Sequence, residues 1–235
     1  MKNTLTSDNL SEMILQEYPD GFSAESGLTE RQTKCSYNGT KVQSKQLFFD
    51  GVMIQYGKYS FQNSLILNSS FDHPIVEMHF CLDGQISGKL ENGEHSLSYV
   101  PESKGQFFYD KSSSLEGVEI SFTPQYFQRF KNQDCKTIEI FLEAIEKQRV
   151  HQLPNNGKID PVMRNIIGQI ISNPFKGTIK RLYIEAKTIE LLSAQLDFFE
   201  QQFGIKDKNY KLSNDLEKLL YAKFLIEQHL CNPPT

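Results

Sequence analysis

The chain has 235 residues, 38% hydrophobic and 23% charged, with 17 Phe, 10 Tyr and no Trp. That is enough apolar and aromatic mass to fill a core, and it excludes global disorder. A net charge of -4 argues against a general polyanion-binding surface, which carries a basic footprint. No apolar run approaches the roughly 18 residues of a membrane span, and the first ten residues hold no secretion-signal core. Cys35, Cys81, Cys135 and Cys231 are widely spaced and form no CxxC pair, so the reading is a cytoplasmic protein with free thiols.

Residues 1–45 are polar and weakly periodic, and read as a partly irregular arm with a short helix over 11–18. From 46 to 123 the pattern is strand. Val52, Ile54 and Tyr56 alternate onto one face, and so do Val76, Met78, Phe80 and Leu82, opposite Glu77, His79 and Cys81. Asp83-Gly84 and Asn92-Gly93 are turn signals, with 86–90 expected as the return strand of a hairpin. Strands at 96–100, 106–109 and 117–122 complete an antiparallel barrel or sandwich.

At Thr123-Pro124 the period changes. Thr123 suits an N-cap with Pro124 at the first helical position, and 124–204 reads as a helical region. One helix carries Ile138, Phe141, Leu142 and Ile145; the next starts at Asp160-Pro161 and carries Met163, Ile166, Ile167 and Ile170. The longest spans 178–203, with Gly204 expected to end it. Residues 213–235 read as a linker and a last amphipathic helix, with Asn214 and Glu217 as a capping box, before Asn232-Pro233-Pro234. The fold class expected is α+β.

The long helix shows two apolar stripes. Leu182, Ala186, Ile189, Leu192, Leu196, Phe199 and Phe203 recur at three and four and are expected to cover the core. Ile184, Leu191 and Phe198 recur at seven on nearly the opposite side. That second stripe is expected either as a homodimer interface or as the seat of Leu216, Leu219, Leu220 and Phe224 from the last helix.

Catalytic chemistry is sparse. Glu77, His79 and Cys81 share a strand face, a spacing that could hold a metal, but any alternating strand produces it. No nucleophile elbow or phosphate-binding glycine loop occurs. Glu116 and Glu119 read as solvated edge charges, and Lys176, Lys180, Arg181 and Lys187 as the wet side of a helix. No catalytic residue, cofactor or metal is expected. The aromatic supply allows a pocket for an organic ligand, with Phe48, Met78, Phe80, Tyr99 and Phe108 as its candidate lining, although a small barrel needs such residues simply to fill its interior.

Four stretches carry a family resemblance. They are Val76-Glu77-Met78-His79-Phe80-Cys81-Leu82-Asp83-Gly84; Gly117-Val118-Glu119-Ile120-Ser121-Phe122-Thr123-Pro124-Gln125-Tyr126-Phe127; residues 180–196, opening Lys180-Arg181-Leu182-Tyr183-Ile184-Glu185-Ala186; and 215–223 running on to Asn232-Pro233-Pro234-Thr235. The arrangement resembles the N-terminal sensing region of arabinose-regulator (AraC) family transcription regulators, in the pyochelin-regulator-like branch. The resemblance implies a cupin-like β-region, helices with dimer contacts, and a small-molecule effector. It also implies that the chain ends before the helix-turn-helix motifs. Operator DNA would then be bound only through that further domain, and RNA polymerase would be a partner of the full-length protein. Two other readings stay open: a cupin-type metal-dependent isomerase or dioxygenase, and an interaction module without a small ligand.

Overall fold

The computed structural model describes residues 2–7, 10–24, 27–86, 90–131, 134–153 and 155–206. Strands fill most of the first half: β1 (Lys2–Ser7), β2 (Leu10–Glu17), β3 (Thr29–Tyr37), β4 (Thr40–Phe49), β5 (Val52–Phe61), β6 (Leu65–Phe71), β7 (Ile75–Ile86), β8 (Leu90–Glu91), β9 (Glu94–Val100), β10 (Ser103–Tyr109) and β11 (Ser113–Phe122). Helices α1 (Pro124–Phe127) and α2 (Lys136–Glu146) follow, then the short strands β12 (His151–Gln152) and β13 (Gly157–Lys158), then α3 (Pro161–Ile171) and α4 (Gly177–Lys206). No described helix is long and apolar enough to cross a membrane.

The strands form two antiparallel sheets that do not close into a barrel. The larger runs β12-β9-β7-β11-β5-β4-β3, with β13 beside β9 and β8 beside β7; the smaller runs β10-β6-β1-β2. The helix expected over 11–18 is therefore the strand β2, paired with β1 from Lys2↔Glu17 to Ser7↔Leu10. The arm expected up to residue 45 is largely sheet, because β3 pairs with β4 along its whole length.

Alternation decides the layers. On the large sheet Val76, Met78, Phe80, Val118, Ile120 and Phe122 point to one side, where the helices cover them and build the main core. Their neighbours point to the small sheet. Aromatic contacts close that second interface at both ends: Phe61 stacks on Tyr109 with centroids 4.3 Å apart, and Tyr18 bridges Phe48 and Phe71 at 5.9 Å each.

The helix starts follow their caps. Thr123 Oγ1 accepts from the Tyr126 amide at 3.2 Å, and Asp160 Oδ1 from the Met163 amide at 2.7 Å, each before a proline. Helix α2 has no such residue at its own N-cap, Cys135. Glu200 of α4 takes the role from outside, accepting from the amides of Lys136 and Thr137 at 3.2 and 2.7 Å.

On α4 the two expected stripes share the core side: Leu192 and Phe199 of the stripe expected to cover the core are buried, and the stripe expected to face a partner is buried with them. Ile184 and Leu191 are fully buried and Phe198 packs against the core, whereas Leu182 is 61% exposed. The buried side also carries Thr188 and Gln195, both at 0% exposure. Both bond inside: Thr188 Oγ1 donates to the Ile184 carbonyl at 2.8 Å, and Gln195 Nε2 bonds to β9, while Gln195 Oε1 has no partner among the described residues. Those two polar residues interrupt the buried side that runs through Ile184, Leu191, Leu192 and Phe199, so its full width does not show as one apolar stripe. Gly204 does not end α4, which runs to Lys206. The last helix and its capping box lie outside the described residues.

Asp83-Gly84 is a bulge rather than a turn. β7 continues to Ile86, and its register against β11 jumps from Gly117↔Cys81 to Glu116↔Asp83. Gly84 has φ +81°, and a Cβ there would stand 2.0 Å from the Ser114 carbonyl oxygen. Gly84→Ala is expected to lower stability by about 2–3 kcal/mol in urea denaturation, and an unchanged midpoint would refute this account of the bulge.

Candidate functional site

The five residues expected to line a pocket do not converge. Met78, Phe80 and Tyr99 lie in the core under the helices, Phe48 joins the aromatic cluster of Tyr18, Phe22 and Phe71, and Phe108 turns outward at 45% exposure. The apolar face of the sheet is needed to bind the helices, so it cannot also be a lumen.

The polar alternates of the large sheet face the small sheet instead. Cross-strand register sets Gln46, Gln55, Glu119, His79 and Ser96 in one transverse row over β4, β5, β11, β7 and β9. Ser121, Glu77 and Ser98 form the start of the next row. Gln46 Nε2 donates to Gln55 Oε1 at 2.8 Å, and Gln55 Nε2 to Tyr59 Oη at 3.3 Å. Ser121 Oγ donates to Glu119 Oε1 at 3.1 Å, and His79 Nε2 lies 3.2 Å from Glu77 Oε2. Gln55, Glu77, His79 and Glu119 are half-buried.

Apolar groups seal both ends of this polar band. One end is Tyr18, Phe22, Phe48, Met53 and Phe71; the other is Cys81, Leu90 and Leu115, with Tyr59 and Tyr109 against them. Burial pushes the Tyr59 and Tyr109 hydroxyls and the Cys81 thiol above their ordinary values. Cys81 behaves as a small buried group, 3.5 Å from the Gly84 carbonyl oxygen. Among the described residues no three His, Cys, Asp or Glu side chains gather as a metal site.

A concavity of about 680 Å³ lies elsewhere, toward the end of β3, β4 and β5 that carries the β3–β4 turn. Lys34, Lys41, Lys58, Ser60, Ser114 and Glu116 contribute to it. Glu116 is not a solvated edge charge. Lys58 Nζ reaches Glu116 Oε2 at 2.9 Å and Tyr56 Oη donates to Oε1 at 2.7 Å, and these contacts lower the carboxyl against the opposing effect of burial. The cations of α4 are paired as well: Lys180 with Glu30, Arg181 with Asp50 and Glu185, and Lys187 with Glu190.

His95 ties the sheet to α4. It is fully buried on β9, with Phe80, Phe198 and Phe199 around it, and Gln195 Nε2 lies 2.9 Å from its Nδ1 and 3.1 Å from the Ser96 carbonyl oxygen. The carbonyl can only accept, so the amide donates and Nδ1 is the accepting nitrogen. The proton then sits on Nε2, which has no partner among the described residues.

Residues 38–206 match the family described as the regulatory protein PchR N-terminal domain. The chain belongs to that family. It therefore carries the regulatory domain of an AraC-type transcription regulator. No curated protein and no solved structure matches it. The family span takes in the whole polar row from Gln46 to Glu119 and ends with α4, while β1, β2 and β3 lie before it. Reading the sequence missed Gln46, Gln55 and Ser121, because polar alternates on a strand normally mean a solvent face; the only signal was their recurrence on adjacent strands.

Burial lowers His95 and His151 to about 4 each. In the unfolded chain they titrate near 6.5, so between the two values the unfolded state holds more protons and stability rises with pH. Stability is expected to fall as pH drops from 6.5 toward 4, by on the order of 2–3 kcal/mol per histidine once the descent is complete. Chemical denaturation at pH 7 and pH 4.5 checks this, and equal midpoints would count against it.

Proposed function

We propose that this domain senses a small organic effector held between the two sheets, over the row Gln46, Gln55, Glu119 and His79. The observation that carries the reading is the polar band inside the sandwich. Sandwich interiors are filled by apolar alternates, and buried polar groups cost stability unless they are bonded. Here both ends are apolar and the centre is not: half-buried amide, carboxylate and imidazole groups face inward there, bonded among themselves. Few polar groups framed by aromatic walls are the usual make-up of a ligand site. The role is non-enzymatic and cytoplasmic, a reading supported by the regulatory family. Contact with operator DNA and RNA polymerase belongs to the parent regulator's DNA-binding part. Mass spectrometry of small molecules released from the purified full-length protein tests the proposal. Gln55→Leu with Glu119→Leu should carry less than a tenth of the wild-type ligand while remaining folded; a folded double variant with full ligand content would overturn it.

Dimerisation finds support on a different face from the stripe expected in the sequence. Ile179 and Leu182 are 64% and 61% exposed on the outer side of α4, and Phe175, just before the helix and against Tyr183, is 41% exposed. Adjacent exposed apolar groups of this size mark interaction surfaces, and a twofold axis through α4 would bury the same strip on both copies. Ile179→Asp with Leu182→Asp is expected to give a folded monomer in sedimentation, whereas Ile184→Asp, placing a charge in the core, should unfold the domain. A dimer that persists in the first variant would exclude this strip as the interface.

A further inference from the structure

The side of the large sheet that faces the helices extends past them, and there its register builds a second pattern. Lys34, Gln43 and Lys58 are directly paired across β3, β4 and β5, and in the next row Ser36, Lys41 and Ser60 are paired across the same strands. All six point to one side, and Lys41 is diagonal to both Lys34 and Lys58. The result is a checkerboard of ammonium groups and neutral donors, in which each diagonal places two lysine positions roughly 7–8 Å apart. Long flexible side chains on this spacing can converge on one ligand. All six border the concavity of about 680 Å³.

Like charges on diagonal positions of one sheet face repel only weakly in water, but together they attract an anion placed between them. The internal compensation is partial. Glu116, next in the row after Lys58, spends one oxygen on Lys58 and the other on Tyr56. Asp83 follows Glu116 in that row, four strands from Lys34, or about 19 Å at the usual strand separation. No carboxylate among the described residues reaches Lys34 or Lys41, in a chain whose net charge is -4. The lysine end of the groove is thus a local positive pole on an acidic protein, provided with hydroxyl and amide donors.

We propose that this groove is a second binding site, distinct from the space between the sheets, for a small molecule bearing a carboxylate or phosphate oxyanion. Lys34 and Lys41 supply the free charges. Ser36, Ser60 and Gln43 donate to the remaining oxygens, and Lys58, fixed by Glu116, closes the third side. A point charge on a flexible stem suits a site that accepts oxyanions of varied shape better than bidentate guanidinium would. The site faces away from Gln55 and Glu119, so an anion there and an effector between the sheets could be held together.

Calorimetric titration of the full chain at low salt tests this with citrate and with pyrophosphate, against chloride at matched ionic strength. Saturable one-site binding of citrate or pyrophosphate but not chloride is expected, and the tighter of the two assigns the oxyanion to the carboxylate or the phosphate class. Lys34→Gln with Lys41→Gln should weaken it at least tenfold without changing the circular dichroism spectrum, since both side chains are exposed. Lys104→Gln, an exposed lysine on the small sheet, should leave it unchanged. Failure of both oxyanions to bind, equal binding by the double variant, or equal loss in the Lys104 variant would overturn the proposal. None of these outcomes bears on ligand content between the sheets, which is read separately.

Discussion

The alternation of four strands, β4, β5, β7 and β11, governs the rest of the molecule. At mid-strand, where Leu47, Ile54, Met78 and Ile120 alternate with Gln46, Gln55, His79 and Glu119, each presents apolar residues to the helices and polar residues to the small sheet. Because the period is two, neither face can be altered by a register slip without reversing the other. Burial of Met78, Ile120 and Phe122 beneath the helices therefore also determines that His79, Glu119 and Ser121 face the interior of the sandwich. The apolar core supplies the stability, and the polar band depends on it for position.

The helical layer meets this sheet through shape and through a few polar fastenings. Helix α4 crosses from Arg181, paired with Asp50 at the β4–β5 turn, to Gln195, bonded to His95 and Ser96 on β9. Ser96 pairs with His79, so β9 has the polar interior on one side and the Gln195 contact on the other. A shift of β9 in response to a bound molecule would be felt by α4 through one amide side chain. Packed elements with fixed hydrogen bonds are the physical means by which such displacements travel.

Much of this was legible in the residues. Thr123-Pro124 and Asp160-Pro161 announce helix starts because a short polar side chain and a proline solve the same problem of orphan amides. The alternation over 75–82 likewise names its strand. What remained hidden depended on tertiary context. Asp83-Gly84 resembles a turn until the Ser114 carbonyl is seen against Gly84. The full width of the buried side of α4, from Ile184 and Leu191 to Leu192 and Phe199, was hidden because Thr188 and Gln195 are polar, yet bond inside. The segment 11–18 has no strong period, and its strand state comes from pairing with β1. The inter-sheet row could not be read from any one strand, since it exists only across five.

The cap on α2 ties two distant parts of the chain together. Its first amides are satisfied by Glu200, from the last two turns of α4, and Thr137 Oγ1 adds a third bond to the same carboxylate at 2.5 Å. Fraying at the end of α4 would thus open the beginning of α2 as well, although more than sixty residues separate them. Amide hydrogen exchange at Lys136 and Thr137 becomes a remote gauge of how α4 ends, and a domain attached beyond Lys206 could be sensed at those two amides without touching them.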